Sequence, residues 1–220
     1  MKSLLIRLIF IFIPLCLLAH IKAMAIEEPK FKVLLKEDAF EVREYEKRLS
    51  AVTVTSGDMD QAGNQGFRRI ADFIFGNNKA STSESSASEK IAMTAPVVMM
   101  PLRPDSTNAD ALGSSLKVKE SSTWQVEFSM PSVYDANTLP KPNNPDVKIT
   151  AVPNKTYAVL TYSGLNTERR VQEKIDALKA WLQQKGFAEK SQAILARYNP
   201  PWTLPPWRRN EIWIEIAWTP

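Results

Sequence analysis

Lys90–Met100, KIAMTAPVVMM, is an apolar run interrupted only by Thr94 and Pro96, and a polar loop separates it from Ala62–Gly76, AGNQGFRRIADFIFG. In the second segment Phe67, Ile70 and Ile74 fall at i, i+3 and i+7 with Ala71 beside them, while Arg68, Arg69 and Asp72 take other faces, which is helix spacing. Together the two segments read helix, long loop, strand. Pro96 has no N–H to donate to a ladder, so within a strand it predicts an edge or a bulge. A pocket is expected there.

Working outward, Phe40–Glu46 and Leu49–Ser56 are rich in Val, Thr, Phe and Tyr and predict neighbouring strands before the helix, after a polar lead. Gly57 breaks the second, and Gly76-Asn77-Asn78 ends the helix. Lys79–Glu89, KASTSESSASE, has no core-forming residues and predicts a mobile, protease-sensitive loop. Pro101–Ser122 predicts a second long loop. Trp124, Val126, Phe128 and Met130 then alternate with polar residues as a half-buried strand, and Asn137–Asp146 with its three prolines predicts an extended connector.

The second half repeats the order. Val147–Val152 and Tyr157–Ser163 predict strands, Thr167–Lys185 a helix with Val171, Ile175, Leu178 and Leu182 on one face and Gly186 after its end, and Gln192–Tyr198 and Glu211–Ala217 two more strands. Both halves are β-β-α-β-β, and Val52–Gly57, VTVTSG, echoes Val159–Gly164, VLTYSG, at the same place in each. An internal duplication follows, with an α+β fold in which two such repeats build one sheet or barrel flanked by two helices. The cleft between the halves is the default ligand site.

The first 25 residues have the pattern of a secretory signal peptide: Lys2 and Arg7, an apolar Leu8–Ala19, then Ala23-Met24-Ala25. Cleavage after Ala25 would leave residues 26–220 as one domain, exported to a periplasm or secreted. The apolar run is shorter than the ~20 residues of a spanning helix and contains Pro14, which argues against a retained membrane segment. Cys16 and His20, the one cysteine and the one histidine, leave with the signal. The mature chain then has no thiol, no Ser-His-Asp arrangement, no disulfide and no Cys/His zinc site. Lys2, Arg7 and Lys22 leave too, so 25 basic residues face 24 acidic ones. A near-neutral chain without a basic run gives no support for nucleic-acid binding.

Five stretches, GFRRIADFIFG (66–76), KIAMTAPVVM (90–99), MPSVY with LPKPNNP (130–134 and 139–145), YAVLTYSG (157–164) and RYNPPWTLPPWRRNE (197–211), resemble the SOUL haem-binding family, and they span nearly the whole mature chain. The resemblance implies a distorted β-barrel of two repeats with two flanking helices, and haem or a related tetrapyrrole held non-covalently as ligand. It departs from a histidine-ligated haem because no histidine survives cleavage.

The resemblance also directs attention to the first helix. Phe67, Ile70, Ala71 and Ile74 would wall the ligand, although on spacing alone they are the core stripe of any packed helix. Arg68 and Arg69 would pair with the propionates. Met93 and Met99, with Met100, are soft ligands or, as methionines commonly are, core fillers. Tyr45, Tyr134, Tyr157, Tyr162 and Tyr198 offer the oxygen ligand known at haem iron, and none is singled out by its neighbours. Trp202 and Trp207 in Asn199–Arg209 are read as plugs of the barrel end. Two other classes stay open: a carrier of another hydrophobic small molecule, and a hydrolase pairing a pocket carboxylate with a tyrosine. Glu127, Glu211 and Glu215 are expected on the wet face, and no spacing selects a catalytic pair.

Overall fold

The computed structural model describes residues 26–81, 87–102 and 117–218; the signal-like residues 1–25, residues 82–86 of the serine-rich loop and residues 103–116 lie outside the described residues. Among the described residues eleven strands and two α-helices are formed: β1 (Phe31–Glu37), β2 (Phe40–Tyr45), β3 (Arg48–Ser56), α1 (Met59–Ile74), β4 (Asn78–Lys79), β5 (Val97–Pro101), β6 (Thr123–Ser129), β7 (Lys141–Pro142), β8 (Lys148–Val152), β9 (Lys155–Ser163), α2 (Glu168–Lys185), β10 (Ile194–Arg197) and β11 (Arg209–Glu215). Nine strands form one antiparallel sheet in the order β1-β2-β9-β11-β10-β5-β6-β3-β8, strongly curled into a half-barrel. β4 and β7 pair separately, so the proline-rich connector carries a short strand.

Leaving β1 aside, this order is the same from either end once the halves are exchanged. β5 and β10 pair at the centre, followed outward by β6 and β11, then β3 and β9. The outermost strands are crossed: β2 of the first half pairs with β9 of the second, and β8 of the second pairs with β3 of the first. β2 and β3, expected as partners from their adjacency, therefore do not pair. The polar lead is also more structured than expected, because Phe31–Glu37 forms edge strand β1, its lysines facing solvent beside half-exposed Phe31 and Val33.

Both helices begin and end where their chemistry dictates. Asp58 caps α1 by accepting from the N–H groups of Asp60 and Gln61, one turn earlier than the hydrophobic spacing suggested, and Thr167 caps α2 through Arg170 N–H. Gly57 and Gly164, the last residues of the sequence echo, have φ of +120° and +108°, a backbone that L side chains rarely adopt. The echo thus marks the same strand-to-helix turn in each half.

Between the helices and one sheet face lies the main core, which includes Ile70, Phe73, Ile74, Trp124, Phe128, Leu178 and Ile212. Trp181 of α2 stacks on Phe40 at 5.2 Å and donates its indole N–H to Glu37. The opposite sheet face buries a second cluster of Tyr45, Tyr157, Val159, Ala196 and Trp213, to which no helix contributes; the curl of the sheet covers it.

α1 sits close on β6 through Gly66. A Cβ placed there would stand 2.5 Å from Cβ of Val126, a fully buried strand residue. Ala in place of Gly ordinarily stabilises a helix interior by ~0.5–1 kcal/mol, but overpacking of this kind costs ~1–3 kcal/mol. Gly66→Ala should therefore lower the urea midpoint. An unchanged or raised midpoint would show that the helix can lift from the sheet without loss.

Candidate functional site

The expected α1 site divides by depth. Ile70 and Ile74 are fully buried, Ala71 nearly so, and Met99 packs under Gly63, so these four are core. Phe67 is half-exposed with its ring 5.7 Å from that of Phe128, Arg68 is exposed, and Met93 is partly buried against the core. Arg69 donates to the Val54 carbonyl at 2.9 Å and stands 3.7 Å from Asp146. None of the eight lines the main cavity found among the described residues.

That cavity, about 600 Å³, lies where residues 27–30, the start of β3, the end of β8 and the Met130–Ala136 turn converge. It opens beside Thr94, close to where the Pro96 argument placed a pocket. The physical reason differs: Pro96 immediately precedes β5, an interior strand, and the chain before it is drawn against the N-terminal segment by the bond from Ala95 N–H to the Glu27 carbonyl. Apolar lining comes from Leu49, Met130, Pro131, Val152 and Pro153.

Three cations border the cavity, Lys30, Lys47 and Arg48, against Glu27, Glu28, Glu46 and Asp135. Most of these carboxylates are already engaged. Glu27 accepts from Ser132 N–H at 2.8 Å, Glu28 pairs with Arg209 at 3.0 Å, and Asp135 accepts from the N–H groups of Asn137 and Thr138. Lys30 and Lys47 form no ion pair among the described residues. Arg48 reaches Glu127 only at 3.6 Å, and its Nε and Nη1 are buried with no hydrogen-bond partner among the described residues. Arg48 also borders a second groove of about 410 Å³ on the far side of β8. Sequence reasoning missed Arg48 because it lies outside every stripe; its proximity to MPSVY arises only from strand pairing.

Tyr134 also lines the cavity. Its hydroxyl donates to Glu89 Oε1 at 2.6 Å, and burial together with that carboxylate pushes the phenol up to about 12. Tyr157 is pushed up to about 12 mainly by burial, and Tyr45, Tyr162 and Tyr198 further still, again by burial first. All five tyrosines are thus held as phenols at neutral pH.

Glu211 corrects the expectation of a wet face. It is fully buried in the second cluster, where Arg43 donates to both carboxylate oxygens at 3.1 Å, Tyr198 and Trp213 each donate at 2.7 Å, and Arg209 at 3.0 Å. Neighbouring Arg43 is itself 4% exposed and also bonds Glu41 at 2.6 Å. A carboxylate so fully engaged is a structural clasp joining β2, β9 and β11 to Tyr198 just past β10. Glu127 and Glu215 are only partly exposed, bound by Ser50 and Lys155. Among the described residues no cluster of three His, Cys, Asp or Glu side chains could hold a metal ion. Nor is any helix among them long and apolar enough to cross a membrane.

The profile of the SOUL heme-binding protein family matches residues 26–215, and the chain belongs to that family. No curated protein sequence matches it. Among solved structures, the C-terminal domain of EcmrR is similar at a TM-score of 0.56 and 10% identity, over 82% of this chain and 98% of that one. A protein described as a hydrolase from Listeria innocua is similar at 0.52 and 7% identity, over 84% and 94%. An uncharacterised conserved protein from Listeria innocua is similar at 0.53 and 9%, over 81% and 92%. At these identities the likeness is one of fold.

Proposed function

We propose that this chain binds haem or a related tetrapyrrole non-covalently, through apolar contacts and pairing of the propionates with protein cations, and without a histidine at the iron. The observation that carries the reading is the cavity of about 600 Å³, whose apolar lining lies beside cations with spare capacity, in a chain of a haem-binding family. Its size falls within the range of ligand pockets generally. Arg48 at the cavity wall, with Lys30 and Lys47 at the rim, would supply the positive charge that ligand carboxylates meet. A bound haem would supply a redox-active iron, with the apolar lining and Arg48, Lys30 and Lys47 as the residues that would hold it. Burial and, at Tyr134, the Glu89 carboxylate favour the phenol over the phenolate, which disfavours tyrosine as a ligand to that iron.

The exposed edge of α1, Phe67 with Arg68 and Arg69, is retained as the competing binding surface, reached with Met93 from the loop side; Ile70, Ala71, Ile74 and Met99 would support it from within the core. Titration of haemin and of iron-free protoporphyrin separates the two. Both should bind within about tenfold of each other, a difference of ~1.4 kcal/mol, and the ferric spectrum should be high-spin. Arg48→Ala should weaken both ligands roughly tenfold, as loss of a charge-assisted hydrogen bond implies, with Arg68→Ala and Arg69→Ala unchanged. The reverse pattern moves the site to α1. A low-spin spectrum, or a preference for haemin well beyond tenfold, would show that a side chain does ligate the iron.

A second reading has its own observation: the Tyr134–Glu89 pair at the cavity is a tyrosine hydrogen-bonded to a carboxylate, and one structural neighbour is described as a hydrolase. Turnover of a generic ester that disappears in Tyr134→Phe would favour it. The cavity would equally suit a carrier of another amphipathic anion, which protoporphyrin competition would reveal. We also propose export with cleavage after Ala25, so N-terminal sequencing of envelope material should return Ile26. The crossed sheet order and the matching turns at Gly57 and Gly164 support origin by internal duplication.

A further inference from the structure

The β10–β11 loop, Asn199–Arg208, carries the largest exposed apolar side chains among the described residues. Trp202 is 83% exposed, Trp207 73% and Leu204 57%, so these tryptophans do not plug the sheet as their sequence suggested. Leu165, half-exposed, joins them, because it follows Ser163, which pairs with Arg209 at the base of the loop.

The loop is held rigid in this presentation. Pro200, Pro201, Pro205 and Pro206 restrict its backbone, and Arg208 ties it across by donating to the carbonyls of Thr203 and Pro201. Those bonds use backbone oxygens, so the guanidinium charge is not neutralised. Arg170 likewise bonds the Ser163 carbonyl beside the loop, and Arg169, well exposed, stands 3.9 Å from Glu173 one turn along the helix, an exposed pair that holds it weakly. Neither Arg208 nor Arg170 meets a carboxylate among the described residues, and the segments 199–209 and 163–167 contain no acidic residue.

We propose that this loop docks the domain on an anionic lipid surface, with Trp202, Leu204 and Trp207 entering the interfacial layer and Arg208, Arg170 and Arg169 facing the headgroups. Three features select a bilayer over a protein groove. Tryptophan favours the bilayer interface, where its ring is apolar and its N–H stays wet. The apolar side chains stand on a projecting tip and not on a flat face, which suits partial insertion. The segments 199–209 and 163–167 themselves carry arginine and no carboxylate, which suits anionic headgroups. Because the loop is already ordered, docking demands little further loss of conformational freedom. The inference goes beyond ligand binding and does not depend on it.

The test is quenching of tryptophan fluorescence by vesicles containing brominated lipid, with either phosphatidylcholine alone or a phosphatidylglycerol mixture. Residues 1–25 contain no tryptophan, so in the full chain the quenching arises from tryptophans of residues 26–220, and the comparison with the loop variants separates insertion of the loop from binding through the apolar residues 8–19. Trp124, Trp181 and Trp213 are buried and Trp218 is partly buried against the core, which leaves Trp202 and Trp207 to dominate. Strong quenching with a blue shift is expected on the anionic vesicles, weakened in high salt and by Arg169→Gln with Arg170→Gln. Trp202→Ala with Trp207→Ala should lower the domain's partitioning roughly tenfold or more while leaving far-UV circular dichroism and haemin affinity intact. Absence of quenching on both vesicles overturns the proposal. So does a dimer in sedimentation that the double variant abolishes without any vesicle quenching, since the patch would then serve a second copy. Equal quenching on neutral and anionic vesicles would overturn the role given to the arginines.

Discussion

Glu211→Ala is expected to remove ~3–5 kcal/mol of stability, the cost of breaking a buried ion pair and leaving its partner charge uncompensated. Arg43 would remain almost wholly buried with Glu41 as its one carboxylate partner, and Tyr198 and Trp213 would each lose the acceptor they reach at 2.7 Å. Stranded buried donors cost ~1–3 kcal/mol each, so the loss sits at the upper end of that range. A domain of ordinary stability holds ~5–15 kcal/mol in total. Glu211→Gln preserves the shape and one acceptor oxygen, and should recover part of the loss. Tyr198→Phe removes a single hydrogen bond and should cost only ~1–2 kcal/mol. Urea denaturation of the three variants gives the ranking. Should Glu211→Ala unfold at the wild-type midpoint, the clasp contributes nothing and the second cluster is held by apolar contact alone.

Alkaline pH should produce the second large effect. Burial raises all five tyrosines above the ordinary phenol value near 10, Tyr134 and Tyr157 to about 12 and the other three further. The folded form therefore keeps protons that the unfolded chain releases. Stability from this source is whole below pH 10 and falls as pH rises from the unfolded value toward and through about 12. Each phenol still protonated in the folded state contributes a slope of ~1.4 kcal/mol per pH unit. Tyr45, Tyr162 and Tyr198 together would remove ~4 kcal/mol per unit on that slope. Tyrosinate absorbance near 295 nm should consequently rise in one steep step, at the pH where far-UV circular dichroism is lost. Gradual ionisation near pH 10 with native circular dichroism would show that the rings are accessible and the burial argument is wrong.

Haem binding and membrane docking, if both hold, involve separate parts of the molecule. The cavity is built by residues 27–30, β3, β8 and the Met130 turn, while the tryptophan loop joins β10 to β11. Glu28 links them directly, since it borders the cavity and pairs with Arg209 at the base of the loop.

What the sequence determined by itself was local and periodic. Strand alternation, the stripe of Phe67, Ile70 and Ile74, and the stop residue Gly186 located both helices and most strands to within about a turn, because these signals reflect backbone geometry within a few residues. The echo of VTVTSG in VLTYSG likewise pointed to one turn used twice. Edge strand β1 was less legible, since lysine-rich alternation also describes a solvated lead. Only the tertiary structure decided which strands pair: β2 and β8 cross to opposite halves, although adjacency suggested otherwise. It also decided depth. Glu211 has the alternation of a wet face, yet the curl of the sheet closes over it, and Trp202 and Trp207 have the composition of a core plug, yet stand in solvent. Burial depends on what a folded chain brings across from distant positions, Arg43 against Glu211 or Arg48 beside Met130, and periodicity carries no information about that.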